Sequence, residues 1–125
     1  MEYEPGVCNI GPAQQRRRLL LGVGSLLVAV VLVVAVLALG WSRPLLILTV
    51  FPLYGAALGL LQYRARFCVG FGGIGVFDTG EGTTRVTDPD AVEADRRRAV
   101  RLNTKAALIG IIATVVVYGV ATVGL

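Results

Sequence analysis

The sequence predicts an all-α integral membrane protein with three transmembrane helices and a small Gly-rich cytoplasmic loop or β-hairpin between helices 2 and 3. Three observations carry this. Hydrophobic residues make up 55% of the 125 and charged residues only 16%, where soluble proteins are near a quarter charged. Residues 19–42, 44–63 and 106–125 contain no charged side chain at all. At about 1.5 Å per residue each of these windows makes a helix of roughly 30 Å or more, enough to cross a hydrocarbon core of about 30 Å. Finally, all eight acidic residues and eleven of the twelve basic ones fall before Leu19 or between Tyr63 and Ala106, with Arg43 the exception. With three spans those two regions face the same side. Short Arg- and Lys-rich segments beside membrane helices tend to stay cytoplasmic, so the expected topology is a multi-pass cell-membrane protein with its amino terminus inside and its carboxyl terminus outside.

A soluble bundle of the same three helices is a poor alternative, because a chain this small has too little surface to cover them with polar groups. A cleaved signal peptide is suggested by Arg16–Arg18 and by Ala38-Leu39-Gly40. The apolar run, however, is longer than the usual h-region of about 7–15 residues.

Residues 1–18 form a cytoplasmic arm, irregular until a helix begins near Pro12 because Pro5, Gly6 and Gly11 interrupt it. Helix 1, 19–42, is rich in Leu and Val, and Ser25 is its only polar side chain before Trp41. Helix 2, 44–63, starts on Pro44, a favoured first helical position, and carries Pro52, where the missing N–H predicts a kink near the middle. Gly55-Ala56-Ala57-Leu58-Gly59 is a GxxxG pattern, which lets two membrane helices approach closely. In helix 3, 106–125, the small residues Ala106, Gly110 and Thr114 offer a partner face, either within one bundle or between copies.

Between helices 2 and 3 lies the one sizeable polar segment. Within the loop at 64–88, glycines alternate with apolar residues over 67–77, and Thr79-Gly80-Glu81-Gly82 has the composition of a hairpin turn. Asp88-Pro89-Asp90 then opens a basic helix at 89–105 with an N-cap, a first-turn proline and an acid that suits the helix dipole. Glu93 and Arg97 have the spacing of an exposed ion pair. This helix is expected to continue unbroken into helix 3.

The net charge of +4 fits contact with anionic lipid head groups, with Arg16, Arg17, Arg18, Arg96, Arg97 and Arg98 as the candidate residues. Nucleic acid is not an expected partner, since these clusters lie close to the spans and are not interleaved with aromatic residues. The spans contain no ionisable side chain of the kind that marks proton relays and ion pathways. The chain has no histidine, which removes Ser-His-Asp and Cys-His chemistry and histidine metal sites. Gly70-Phe71-Gly72-Gly73-Ile74-Gly75 matches GxGxxG, but no helix is predicted after it and there is no room for a βαβ unit, so no dinucleotide is implied. No cofactor is clearly implied by anything else.

Cys8 and Cys68 are the remaining chemistry. Both are placed on the cytoplasmic face, where a structural disulfide is disfavoured. Cys68 follows Arg64 and Arg66, and positive charge nearby favours thiolates, which exchange disulfides or bind soft metals. The plainer reading is that the two are small packing residues. Cys8-Asn9-Ile10-Gly11-Pro12 before the arginine run, with Phe67-Cys68 after the second span, resembles a group of small, uncharacterised three-span prokaryotic membrane proteins. The resemblance covers most of the chain and implies no activity. The expected function is therefore non-catalytic: an accessory subunit or small oligomer whose partners are the bilayer and either further copies or a larger membrane complex. The alternative is a thiol protein handling redox equivalents or a soft metal ion through Cys8 and Cys68.

Overall fold

The computed structural model describes residues 3–123; the first two residues of the predicted arm and the last two of the third window lie outside them. Three of its helical segments are long and apolar enough to cross a membrane: Pro12–Ala38, Arg43–Ala65 and Pro89–Val123. Only 17–22% of each apolar window is buried inside the protein. Side chains such as Val31, Phe51 and Val115 point outward at 65–70% exposure, a surface that water would not tolerate over three helices.

Helix α1 (Pro12–Ala38) begins with proline at N1 after Gly11. It ends in a Schellman turn: Gly40 takes φ 68° and the Trp41 N–H donates to the Val36 carbonyl at 3.0 Å. The second span differs from the predicted continuous helix with a central kink. Arg43–Thr49 is a 3-10 segment, and α2 proper runs Val50–Ala65. Pro52 thus lies in the first turn of α2, just after the chain changes from 3-10 to α geometry, where proline disturbs less than in a helix interior. The change of helix type at Val50 absorbs what a kink would have done.

Helix α2 also ends in a Schellman turn, with Arg66 at φ 53° and the Phe67 N–H donating to the Gln62 carbonyl at 3.2 Å. A short helix α3 (Val69–Ile74) follows, where the alternation of glycine with apolar residues suggested loop or hairpin strand. Packing explains it: a β-carbon on Gly72 would lie 2.6 Å from Phe67 Cζ and 3.0 Å from the Asp95 carbonyl oxygen. Strands β1 (Val76–Asp78) and β2 (Thr83–Arg85) then form the small antiparallel hairpin, in the register Val76–Arg85 and Asp78–Thr83. Its turn is Thr79–Gly82, closed by the Thr79 N–H to the Gly82 carbonyl at 2.9 Å.

Helix α4 (Pro89–Val123) is continuous over 35 residues. At about 1.5 Å per residue it is roughly 52 Å long, so its first turns stand clear of any 30 Å hydrocarbon layer. Asp88 caps it, accepting the Asp90 N–H on Oδ1 at 3.0 Å. Glu93 and Arg97 pair at 3.9 Å on the exposed face.

Helix α2 lies between α1 and α4. The GxxxG glycines face α1, not the small-residue stripe of α4: Gly59 meets Gly22, and Gly55 meets Ser25. Gly110 of that stripe abuts the Tyr54 backbone of α2 instead. The buried residues of α1 are Gly22, Ala29 and Val36, a seven-residue recurrence that keeps one seam against its neighbour. Far from the charged end, Val36, Leu46 and Ala121 close the bundle. There Arg43, the one charge outside the charged end, donates to the Ala121 carbonyl near the C-terminus of α4, where a cation suits the helix dipole.

Candidate functional site

The charged end of the bundle is a folded cap made from the arm, α3, the hairpin and the first turns of α4. Its core is Phe67, Ala99 and Leu102, flanked by Leu61, Ala65 and Val69. The αL turn at Arg66 swings Phe67 into this core, where it is fully buried.

The arm is fastened to the cap by buried polar side chains. Asn9, 0% exposed, lies beside Cys68: the Cys68 N–H donates to Asn9 Oδ1 at 2.6 Å, and Asn9 Nδ2 donates to the Cys68 carbonyl at 3.1 Å. The Asn9 backbone adds two more bonds, its N–H to the Arg66 carbonyl at 3.1 Å and its carbonyl from the Asp78 N–H at 2.8 Å. Asp78 accepts the Gly11 N–H on Oδ2 and the Gly80 N–H on Oδ1, both at 2.9 Å. One carboxylate thus joins the start of α1 to the hairpin turn. Asp95, fully buried on α4, accepts the Gly6 N–H at 2.7 Å and the Tyr3 hydroxyl at 2.5 Å. Burial, then this hydrogen bond and the negative charge of Asp95, push the Tyr3 hydroxyl well above its usual range. The Tyr3 ring also stacks on Phe77, with centroids 4.5 Å apart.

Cys8 and Cys68 are both buried, and they are not joined to each other as a disulfide. The cap brings them into one neighbourhood, since the residue next to Cys8 clasps the backbone of Cys68. Arg18 Nη2 donates to Cys68 Sγ at 3.2 Å while its guanidinium lies 6.0 Å from the centre of the Phe71 ring. Among the described residues no three Cys, Asp or Glu side chains gather as a metal site. The GxGxxG glycines form α3 and the turn into β1, and Gly72 within them is filled by Phe67.

The arginines singled out for lipid contact divide into two sets. Arg16, Arg17, Arg96 and Arg97 are exposed, whereas Arg18 and Arg98 are partly buried, and the Nε of each is shielded from solvent without a hydrogen-bond partner. Sequence reading missed Tyr3, Asn9, Asp78 and Asp95 as the fasteners of the cap. For Asp95 a signal existed: Ala91, Asp95, Ala99, Leu102 and Ala106 recur at spacings of three and four, so the carboxylate falls on the buried stripe of its helix. Asn9 and Asp78 meet partners more than fifty residues away, and local pattern does not reveal such contacts. In comparisons with protein-family models, with curated proteins and with solved structures, nothing matches the chain.

Proposed function

We propose that this chain is a non-catalytic integral membrane protein that acts by interaction, as an accessory subunit or small oligomer, with its cap in the cytoplasm against anionic lipid. The observation that carries this reading is the use made of the polar side chains in the cap. Asn9, Asp78 and Asp95 hold backbone and side-chain partners within the chain and present no paired acid and base to a substrate. A second observation points to a partner in the membrane. β-Carbons on Gly24 of α1 and Gly119 of α4 would meet nothing within 4 Å, so packing inside this chain does not account for either glycine. Outward glycines in membrane helices let another helix approach closely.

The test is purification in mild detergent with measurement of particle mass and identification of co-purifying subunits. Gly24→Leu and Gly119→Leu are expected to shed the partner while the chain itself stays folded. A monodisperse single chain, unaffected by either substitution, would rule the reading out.

The thiol reading is kept alive by one contact, the Arg18 guanidinium donating to Cys68 Sγ at 3.2 Å, which sets a hydrogen-bond donor on the sulfur that redox or soft-metal chemistry would use. Counting free thiols and bound metal on the same purified sample separates it from the first reading.

A further inference from the structure

Helices α2 and α4 enclose a second cationic feature, a cleft of about 350 Å³ lined by Leu61, Arg64, Ala65, Arg98, Leu102 and Lys105. Three cations and no acid line it. Arg98, Leu102 and Lys105 are spaced i, i+4, i+7 and so share one face of α4, opposite Arg64 at the last turn of α2. Among the described residues none of the three cations is ion-paired. The nearest acid on the helix, Asp95, is already occupied on both oxygens by Tyr3 and Gly6.

Arg98 is the telling member, because its Nε is closed off from solvent yet has no hydrogen-bond partner. A guanidinium N–H held this way is costly unless an acceptor enters the cleft. The depth of the cleft identifies the acceptor. Arg64 immediately follows one charge-free window and Lys105 immediately precedes another, so the cations sit at head-group level. Leu61, Ala65 and Leu102 supply an apolar wall at the same place. We propose that this cleft is a binding site for a phosphate-bearing anionic group, namely the head group of an anionic phospholipid whose acyl chains follow the apolar wall into the bilayer. Arg guanidinium forks match phosphate oxygens, Lys105 adds a point charge, and basic pockets between membrane helices suit such head groups.

The inference rests on the bilayer reading above, and the experiment keeps the two apart. Protein extracted from membranes into non-ionic detergent is melted with added phosphatidylglycerol, phosphatidylcholine or inorganic phosphate. Phosphatidylglycerol should raise the melting temperature saturably, and the other two should not at equal concentration. Arg98→Gln and the exposed Lys105→Gln should each shift the half-saturating lipid concentration upward about tenfold, while Arg85→Gln, exposed on β2 of the hairpin, leaves it unchanged. An equal shift from inorganic phosphate overturns the lipid assignment, and an unchanged lipid response in both cleft variants overturns the site. Recovery of the variants in the membrane fraction is scored separately: loss of all forms from that fraction defeats the bilayer reading, whereas recovery without a selective shift defeats the cleft alone.

Discussion

Gly59 of α2 rests on Gly22 of α1 so closely that a β-carbon on Gly59 would lie 2.6 Å from the Gly22 nitrogen and 2.8 Å from the Arg18 carbonyl oxygen. Backbone meets backbone at this crossing, and no flexible side chain is available to move aside. Gly59→Leu must therefore separate α1 from α2. Forcing extra atoms into a well-packed contact costs about 1–3 kcal/mol, occasionally more, so the expected result is a clear fall in detergent melting temperature. Phe51→Leu, at an outward-facing position of α2, serves as the control and should leave that temperature unchanged.

The clasp between Asn9 and Cys68 predicts a different signature. Asn9→Ala removes both side-chain bonds and leaves the Cys68 N–H buried without its acceptor, at a cost of about 1–3 kcal/mol. The loss falls on the cap and not on the three spans, so helix content should hold while the arm loosens. Labelling by a small thiol reagent in detergent should then become faster at both Cys8 and Cys68. Unchanged labelling would mean that the arm is held by other contacts.

The two Schellman turns make a matched pair. Gly40 ends α1 at φ 68°, a conformation natural to glycine, whereas Arg66 ends α2 at φ 53° with a β-carbon that the left-handed region disfavours. Arg66→Gly should stabilise the protein by about 1 kcal/mol or somewhat less, because glycine recovers the conformational penalty but loses more chain entropy on folding. Arg66→Ala keeps the β-carbon and should bring no such gain. Equal melting temperatures for the Gly and Ala variants would show that the turn is not strained.

The spans were legible in the sequence because lipid imposes a one-dimensional constraint: about twenty residues without charge make a span whatever they pack against. The hairpin was legible because Thr79–Gly82 is local turn chemistry. What escaped was every feature settled by distant partners. Pro52 signalled a break in the second span, but its place in the first turn of α2 depends on the 3-10 segment before it. The helix at 69–74 depends on Gly72 fitting beneath Phe67. The GxxxG signal was local, but the partner of its glycines was settled by Gly22 and Ser25 on α1, whose seven-residue seam was hidden in a run of Leu and Val.

Tyr3 and Asp95 predict how stability depends on pH. The folded protein holds the Tyr3 hydroxyl protonated well above its ordinary range, chiefly by burial and then by the bond to Asp95. A group whose folded value is raised contributes its stabilisation fully below the unfolded value, about 10 for tyrosine, and loses it as pH climbs toward the folded one. The stability difference between the native chain and Tyr3→Phe should therefore be constant through neutral pH and shrink only above about pH 10. Denaturation in detergent across that range measures it. A difference that shrinks instead between pH 6 and 8 would point to another group.

The last prediction concerns sidedness, which the arginine distribution argues and the fold makes testable. If the charged cap is cytoplasmic, the turn between the first two spans faces outward, and Ser42 there is exposed. Native Cys8 and Cys68 are poor reporters because both are buried, so their silence toward a reagent says nothing about which side they occupy. Engineered cysteines on exposed positions at the two ends avoid this ambiguity. In a Cys8→Ser, Cys68→Ser background, Ser42→Cys should react with a membrane-impermeant thiol reagent on intact cells. Glu81→Cys, on the exposed tip of the hairpin, should react only after the membrane is opened. The two substitutions must exchange their behaviour if the topology is inverted, so labelling of Glu81→Cys on intact cells would reverse the orientation. It would also move the cleft formed by Arg64, Arg98 and Lys105 to the outer leaflet, away from the anionic surface that most strongly attracts basic residues.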